Sequence, residues 1–198
     1  MGTDINGFIE CRVIDWEGYE GVRVWVAALN LDLLRLPRDY DAFGCLFGVQ
    51  NYAGFRPVAG GRGLPADVSE RTARECGDQG GHDATWITWA EVNAIDWDEP
   101  GERPDARVHR YRRTPDGLVF EGKAGMERRF MNLVGYQDRA AWSEDQEWAD
   151  GDYLYRYERI LRRDAVHPRG WGPLWQVMQV LADANGGDDV RAVVWFDS

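Results

Sequence analysis

The sequence predicts an α+β fold: a single compact domain over residues 1–198, with antiparallel β-hairpins, several short helices and a C-terminal helix–strand unit. Three observations lead to this prediction. Two pairs of strand-like segments are each joined by a short turn sequence, which is typical of hairpins. Capping sequences mark short helices between them. The regular alternation of strand and helix that builds a parallel sheet is not found along the chain.

The first hairpin is predicted from alternating side chains. Apolar and polar residues alternate along residues 5–14, and residues 22–28 repeat the pattern. A period of two is typical of a half-buried strand. The Gly-containing residues 16–21 between the two segments supply the turn.

The next segments predict two helices around a long loop. Asp39 is a capping residue for a helix over residues 40–47. Residues 50–66 are rich in Gly and Pro and predict a loop. Residues 67–76 predict a second short helix, capped by Asp67.

The clearest local signal lies near the middle of the chain. Thr88 and Glu91 are three residues apart and form a capping box, so a helix is expected from residue 89 to about residue 95. Residues 82–88, directly before it, are interpreted as a loop.

The second half predicts another hairpin and a closing unit. Residues 107–113 and 117–123 flank a Thr-Pro-Asp-Gly turn. Residues 138–163 fit a helix or a strand, and their apolar spacing favours a helix. An apolar stripe after Pro173 predicts an amphipathic helix, and residues 190–196 predict a final strand.

Charge limits the expected partners. The chain has 23 basic and 34 acidic residues, a formal net charge of −11, and Lys123 is its sole lysine. Phosphate backbones and anionic membrane surfaces repel such a protein, so neither nucleic acid nor a membrane is an expected partner. The oligomeric state is left open.

Cysteine use and hydropathy predict a cytoplasmic protein. The three cysteines stand far apart and include no Cys-x-x-Cys pair, which favours a reducing compartment. The first residues lack the basic and then apolar pattern of a signal peptide. No apolar run approaches the roughly 18 residues of a membrane span.

Several segments resemble a group of uncharacterised bacterial and bacteriophage proteins that open with Met-Gly-x-Asp-Ile-His. They are, in order, MGTDI (1–5), RDYDAF (38–43), GVQN (48–51), RGLP (62–65) and TWITW (85–89). The C-terminal residues 191–197 are similar too. The resemblance implies no activity, and Asn6 stands where the group has histidine.

Five polar residues suggest acid–base or metal chemistry. Asp4, Asn6 and Glu10 have even spacing on the first predicted strand and therefore share one face. His82 and Asp83 follow two glycines. We expect Asp4, Glu10 and His82 to be catalytic and Asn6 and Asp83 to contact a ligand. The cofactor is left open, and a divalent metal is the candidate. The alternative is that these residues only cap and turn the chain.

The loop over residues 50–66 suggests an anion site. It contains Arg56, Arg62 and several glycines, which would let arginine side chains and backbone N–H groups approach an anion. Asn51 and Trp86 are further expected ligand contacts. The alternative is a surface loop packed by its own aromatic side chains.

Two functional hypotheses follow. The first is an intracellular protein that binds, and as an enzyme would process, a small anionic nucleotide- or carboxylate-like ligand between the N-terminal strand and residues 50–66 and 82–88. The second is an acidic interaction module of the immunity, antitoxin or phage counter-defence type that binds a basic protein. It would use residues 142–152, which combine Trp142 and Trp148 with five acidic residues. The sequence does not decide between enzyme and binding protein.

Overall fold

The computed structural model describes residues 2–15, 21–105, 107–124, 127–135 and 138–198. These residues form an α+β fold with two antiparallel four-stranded sheets. The described strands are β1 (Asp4–Asp15), β2 (Val22–Asn30), β3 (His82–Thr88), β4 (Val108–Thr114), β5 (Gly117–Ala124), β6 (Gln146–Asp150), β7 (Tyr153–Tyr157) and β8 (Val190–Asp197). The described α-helices are α1 (Tyr40–Phe47), α2 (Glu70–Asp78), α3 (Trp89–Asn93), α4 (Arg128–Val134), α5 (Arg162–Ala165) and α6 (Pro168–Asn185).

The first sheet has the strand order β2-β1-β8-β3, so strand β8 lies between β1 and β3. Seven consecutive residues of β8, Val190 to Phe196, are buried, because both faces of this central strand are covered. One face packs against α1 and α6 through Phe43 and Trp171. On the other face, Trp195 packs beside Cys76 of α2. The sequence therefore buries its C-terminal strand in the middle of the main core.

The second sheet has the order β5-β4-β7-β6 and its own aromatic cluster. Phe130 of α4 packs on Tyr155 of β7 with ring centroids 5.0 Å apart. The helix predicted over residues 138–163 is therefore wrong: β6 and β7 form a hairpin there, and β7 also pairs with β4. Alternating tyrosines and long-range pairing with β4 outweigh the helical spacing of the apolar residues.

Other local predictions are confirmed. Asp39 caps α1 through its side chain, and Thr88 and Glu91 form both bonds of the capping box of α3. Both hairpins and the closing strand form as predicted. The turn predicted at residues 16–21 lies, except for Gly21, outside the described residues.

Three boundaries differ from the prediction. Residues 82–88 are strand β3, because they pair with β8. Helix α2 begins after Ser69, which caps it, whereas Asp67 binds Arg191 instead. Helix α6 begins at Pro168 and contains Pro173, because buried Trp171 and Leu174 hold its first turns against the core. Proline at the first helical position costs no hydrogen bond.

Charged residues join the two sheets. Lys123 of β5 and Arg107 both bind Asp41 of α1, at 3.0 and 2.7 Å. The sequence predicts one domain, and this remains a prediction for the two sheets with their separate cores. In the described ranges, no helix has the length and apolar character needed to cross a membrane.

Candidate functional site

A polar cluster lies at the end of the first sheet where β1 and β3 begin and β8 ends. The antiparallel register places Asp4 opposite Asp197 and His82 opposite Phe196. Because β8 lies between β1 and β3, the start of both outer strands meets the end of the central one. We call the resulting cluster of Thr3, Gln50, His82, Asp83 and Ser198 the serine–histidine edge.

His82 links a carboxylate to a hydroxyl. Its Nδ1 lies 2.8 Å from Oδ2 of Asp83, and its Nε2 lies 3.1 Å from Oγ of Ser198. A hydroxyl, an imidazole and a carboxylate in this order have the geometry of a nucleophile, its general base and the group that orients the base. The side chains of His82 and Asp83 are 44% and 63% exposed, so a substrate can reach them.

The backbone holds His82 and Asp83 in an irregular conformation. The register between β3 and β8 shifts between His82 and Thr85, which is a bulge. Asp83 has a φ of 51°, in the left-handed region that side chains other than glycine rarely adopt. Gly81 lies so close to Trp195 that a Cβ there would be 2.2 Å from the indole Cδ1. Bulges and left-handed residues of this kind are enriched next to active sites.

The hydrogen bonds of the serine–histidine edge can form a chain in which each group donates to the next, from Gln50 through Thr3, Ser198 and His82 to Asp83. Gln50 Nε2 donates to Thr3 Oγ1 over 3.2 Å, so the Thr3 hydroxyl is free to donate to Ser198 Oγ, 3.1 Å away. The Ser198 hydroxyl then donates to Nε2 of His82. The carboxylate of Asp83 can only accept, so it favours the His82 tautomer with the proton on Nδ1. In that tautomer Nε2 is a base aimed at the serine hydroxyl.

Asp4 lies beside this edge but is bound to Arg38. Its two carboxylate oxygens accept bonds from Nε and Nη2 of Arg38 over 2.8 and 2.5 Å. The hydrogen bond from Arg38 holds the pKa of Asp4 below its usual range. Asp4 therefore stays ionised and orders the start of β1, and the catalytic role predicted for it has no support in these contacts.

A cleft of about 370 Å³ opens beside Asp83. It is lined by the end of α1, by Pro57, Gly60 and Gly61 of the long loop, and by Asp83 itself. The loop over residues 50–66 and the start of β3 therefore meet at this cleft. The N-terminal strand does not line this cleft. Its volume lies at the lower end of ordinary small-molecule pockets.

The structure does not bring Asp4, Glu10 and His82 together, and their catalytic roles stay a prediction. Glu10 lies six residues along β1 from Asp4, about 20 Å away at the rise of a strand. It is fully buried and binds Arg191 over 2.9 Å and the backbone N–H of Ser69 over 3.0 Å. Glu10 is therefore the anionic partner of a buried ion pair. In the described part of the chain, no group of three or more His, Cys, Asp or Glu residues is placed to hold a metal ion.

The two arginines expected to clamp an anion also lie elsewhere. Arg62 binds both carboxylate oxygens of Glu91, over 2.6 and 3.0 Å, and stacks 4.9 Å over the ring of Trp86. The backbone carbonyl of Trp86 accepts a further bond from it. Arg56 lines a separate groove beside Glu99. Neither guanidinium lines the cleft beside Asp83.

The two asparagines that were predicted to contact a ligand lie outside the serine–histidine edge. Asn51 holds the loop by bonding the backbone N–H and carbonyl of Phe55, over 2.9 and 2.7 Å. Asn6 lies opposite Trp195, and its buried Nδ2 has no hydrogen-bond partner among the described residues. Adjacent cross-strand partners point to the same face, so Asn6 shares the face of Trp195, whereas His82 shares the face of Phe196.

Of the nine residues predicted for the site, the structure places only His82 and Asp83 in the serine–histidine edge. The sequence analysis missed Thr3, Gln50 and Ser198. A signal for Thr3 and Ser198 was available, because pairing of the first and last strands would bring them together. Comparison with models of protein families, with curated proteins and with solved structures finds no match to this chain.

Proposed function

We propose that this protein binds a small carboxylic ester, or a related acyl compound, at the serine–histidine edge and hydrolyses it. The observation that carries the proposal is the chain of contacts from Ser198 through His82 to Asp83, at 3.1 and 2.8 Å. It retains the expectation of a ligand that is bound and processed, with His82 as the acid–base group.

The contacts define a role for each group. His82 Nε2 takes the proton of Ser198 as Oγ attacks the ester carbonyl, and Asp83 stabilises the imidazolium that forms. The imidazolium then gives its proton to the leaving alcohol, so an acyl–serine remains. A water molecule, deprotonated by His82, attacks the acyl carbon and releases the acid and the free serine hydroxyl.

The surrounding charges favour an acyl group without a phosphate. Arg38 is the guanidinium beside this edge, and it is already bound to Asp4 through two bonds. Asp83 lines the cleft, and its carboxylate would repel a nucleotide phosphate. We therefore replace the nucleotide-like ligand of the sequence hypothesis with an acyl compound.

Hydrolysis of p-nitrophenyl acetate tests the proposal. We expect His82→Gln, Ser198→Ala and Asp83→Asn each to lower kcat/KM by a factor of about 10² or more. Ser143→Ala is the matched control, because Ser143 is an exposed serine near the second sheet. Equal thermal stability of the variants would show that folding is unaffected. Activity that survives Ser198→Ala within about twofold would contradict the role of the serine.

The alternative of an acidic docking surface has weaker structural support. In residues 142–152, Glu147 pairs with Arg156 and Asp150 with Arg129. Trp142 packs on Trp148, with ring centroids 5.0 Å apart, in the second core. The indoles and much of the charge are therefore used within the chain. Binding to a basic protein stays a prediction of the sequence.

A further inference from the structure

A second cleft, which we call the inter-sheet cleft, lies between the two sheets, away from the serine–histidine edge. It measures about 640 Å³ and opens where the β4–β5 hairpin meets the first turn of α1, α5 and the start of α6. Charged side chains dominate its walls, and Val119, Phe120 and Ile160 add an apolar part. Its volume suits a ligand of small-molecule size.

Three charged residues that line this cleft, Asp41, Arg107 and Lys123, form ion pairs with one another and with Asp105. Lys123 binds Asp41 and Asp105 over 3.0 and 2.5 Å, and Arg107 binds the same two carboxylates over 2.7 and 2.9 Å. The side chains of Lys123 and Asp105 are only 5% and 2% exposed. Two cations and two anions form a closed quartet whose Arg107 side chain is 39% exposed, so these groups form a wall of the cleft that carries no net charge.

Arg110 and Glu121, which also line the cleft, pair with each other, whereas two further charged side chains have no hydrogen-bond or ion-pair partner among the described residues. The side chains of Asp164 and Arg169 both line it, and neither makes a hydrogen bond or ion pair with a residue that the structure describes. Between them in sequence, His167 also lines the cleft. Its Nδ1 accepts the backbone N–H of Arg169 over 3.1 Å, so a neutral ring carries its proton on Nε2 and can donate it to a ligand.

These groups lie within six residues at the junction of α5 and α6. Arg169 and His167 offer donors to an anion at the first turn of α6, where the helix dipole adds to the attraction. Asp164 offers an acceptor to a cation. The arrangement therefore presents opposite charges over a short stretch of surface, next to apolar Val119 and Ile160.

We propose that the inter-sheet cleft binds a free α-amino acid with an apolar side chain, through Arg169 and His167 to its carboxylate and through Asp164 to its ammonium group. Val119, Phe120 and Ile160 contact the side chain of the amino acid. An α-amino acid carries its two charges only about two bonds apart, which matches partners from one short segment. The site is independent of hydrolysis at the serine–histidine edge.

The electrostatics of the carboxylates support this site. Burial raises the pKa of Asp164, although Arg163, His109 and His167 act in the opposite direction and Glu158 adds to the increase. Burial also raises the pKa of Asp39, another lining residue. Burial therefore disfavours the ionised form of each carboxyl, and a bound ammonium group would compensate that cost.

Calorimetric titration with L-phenylalanine and two blocked forms tests the proposal. N-acetyl-L-phenylalanine lacks the ammonium group, and L-phenylalaninamide lacks the carboxylate. We expect L-phenylalanine to bind and each blocked form to bind at least about tenfold more weakly, because each blocked form lacks one of the two charged hydrogen-bonding groups. Equal binding of the N-acetyl form would overturn the proposal and indicate a simple anion site.

Two variants locate the binding. Arg169→Ala should weaken L-phenylalanine at least tenfold, and Asp164→Asn should weaken it while leaving N-acetyl-L-phenylalanine unchanged. Both should keep the thermal stability of the wild type, because neither side chain makes a hydrogen bond or ion pair with a described residue. Arg113→Ala, an exposed arginine of β4 outside the cleft lining, is the control and should bind normally. Absence of binding by the wild type, or full binding by Arg169→Ala, would refute the site.

Discussion

Replacing Glu10 by alanine should destabilise the fold strongly, because the variant leaves a buried cation without its main partner. Arg191 is 3% exposed and Glu10 is fully buried. Arg191 donates to Glu10 through Nε and Nη2, over 2.9 and 2.8 Å, and its guanidinium lies 3.8 Å from the ring centre of Trp25. The other carboxylate oxygen of Glu10 accepts the backbone N–H of Ser69, the residue that caps α2.

The expected loss follows from these contacts. Removal of one partner from a buried ion pair costs about 3–5 kcal/mol, because the remaining charge stays buried. Asp67 still binds Nη1 of Arg191 over 2.7 Å and limits the loss, whereas the unpaired N–H of Ser69 adds to it. We therefore expect a decrease of about 3–4 kcal/mol in the free energy of unfolding.

Urea unfolding followed by tryptophan fluorescence measures this loss. With an m value of about 2–3 kcal/mol/M, the midpoint should fall by more than about 1 M at an unchanged slope. The control is Glu75→Ala, which removes an exposed pair with Arg71 one helical turn away and should cost less than about 0.5 kcal/mol. A loss for Glu10→Ala as small as that of the control would refute the structural role of Glu10.

Three further results are expected. Arg62→Ala should lower Tm by about 2–8 °C, since it removes two bonds to half-exposed Glu91, worth about 1–2 kcal/mol; an unchanged Tm in calorimetry would contradict this. Gly81→Ala should reduce both stability and ester hydrolysis, because the new Cβ meets Trp195 and displaces the residue that follows; normal values of both would contradict the close approach. Burial would raise the pKa of Glu158, but bonds from His109 and Tyr111 outweigh it and lower the pKa. The wild type should therefore be more stable than Glu158→Gln above about pH 4.5, and this advantage should disappear as the pH falls through the lowered pKa; urea midpoints that differ equally at pH 7 and pH 3 would contradict it.

Local sequence patterns predicted the elements that depend on neighbouring residues. The caps at Asp39 and Thr88 follow from side chains that bond the backbone three residues later, so the pattern is complete within a few positions. Strand β7 was missed because its alternating tyrosines fit a strand whereas Leu154, Tyr157 and Leu161 have helical spacing, and pairing with β4, more than 40 residues earlier, decides between the two.

The candidate site was predicted only in part for a similar reason. His82 and Asp83 are adjacent and follow two glycines, so their chemistry is visible locally. Ser198 reaches them because β8 lies between β1 and β3, which no local pattern shows. Glu10 and Arg62 looked available in the sequence, but Arg191 and Glu91, both distant in sequence, neutralise them.

The central claim is that His82 activates Ser198. The most direct test is to treat the protein with a fluorophosphonate and map the adduct by peptide mass spectrometry. We expect one labelled residue, Ser198, whose Oγ bonds to phosphorus as fluoride leaves and the proton passes to His82. Labelling should disappear in His82→Gln. No adduct at Ser198, or labelling of Ser198 at the same rate in His82→Gln, would contradict the account.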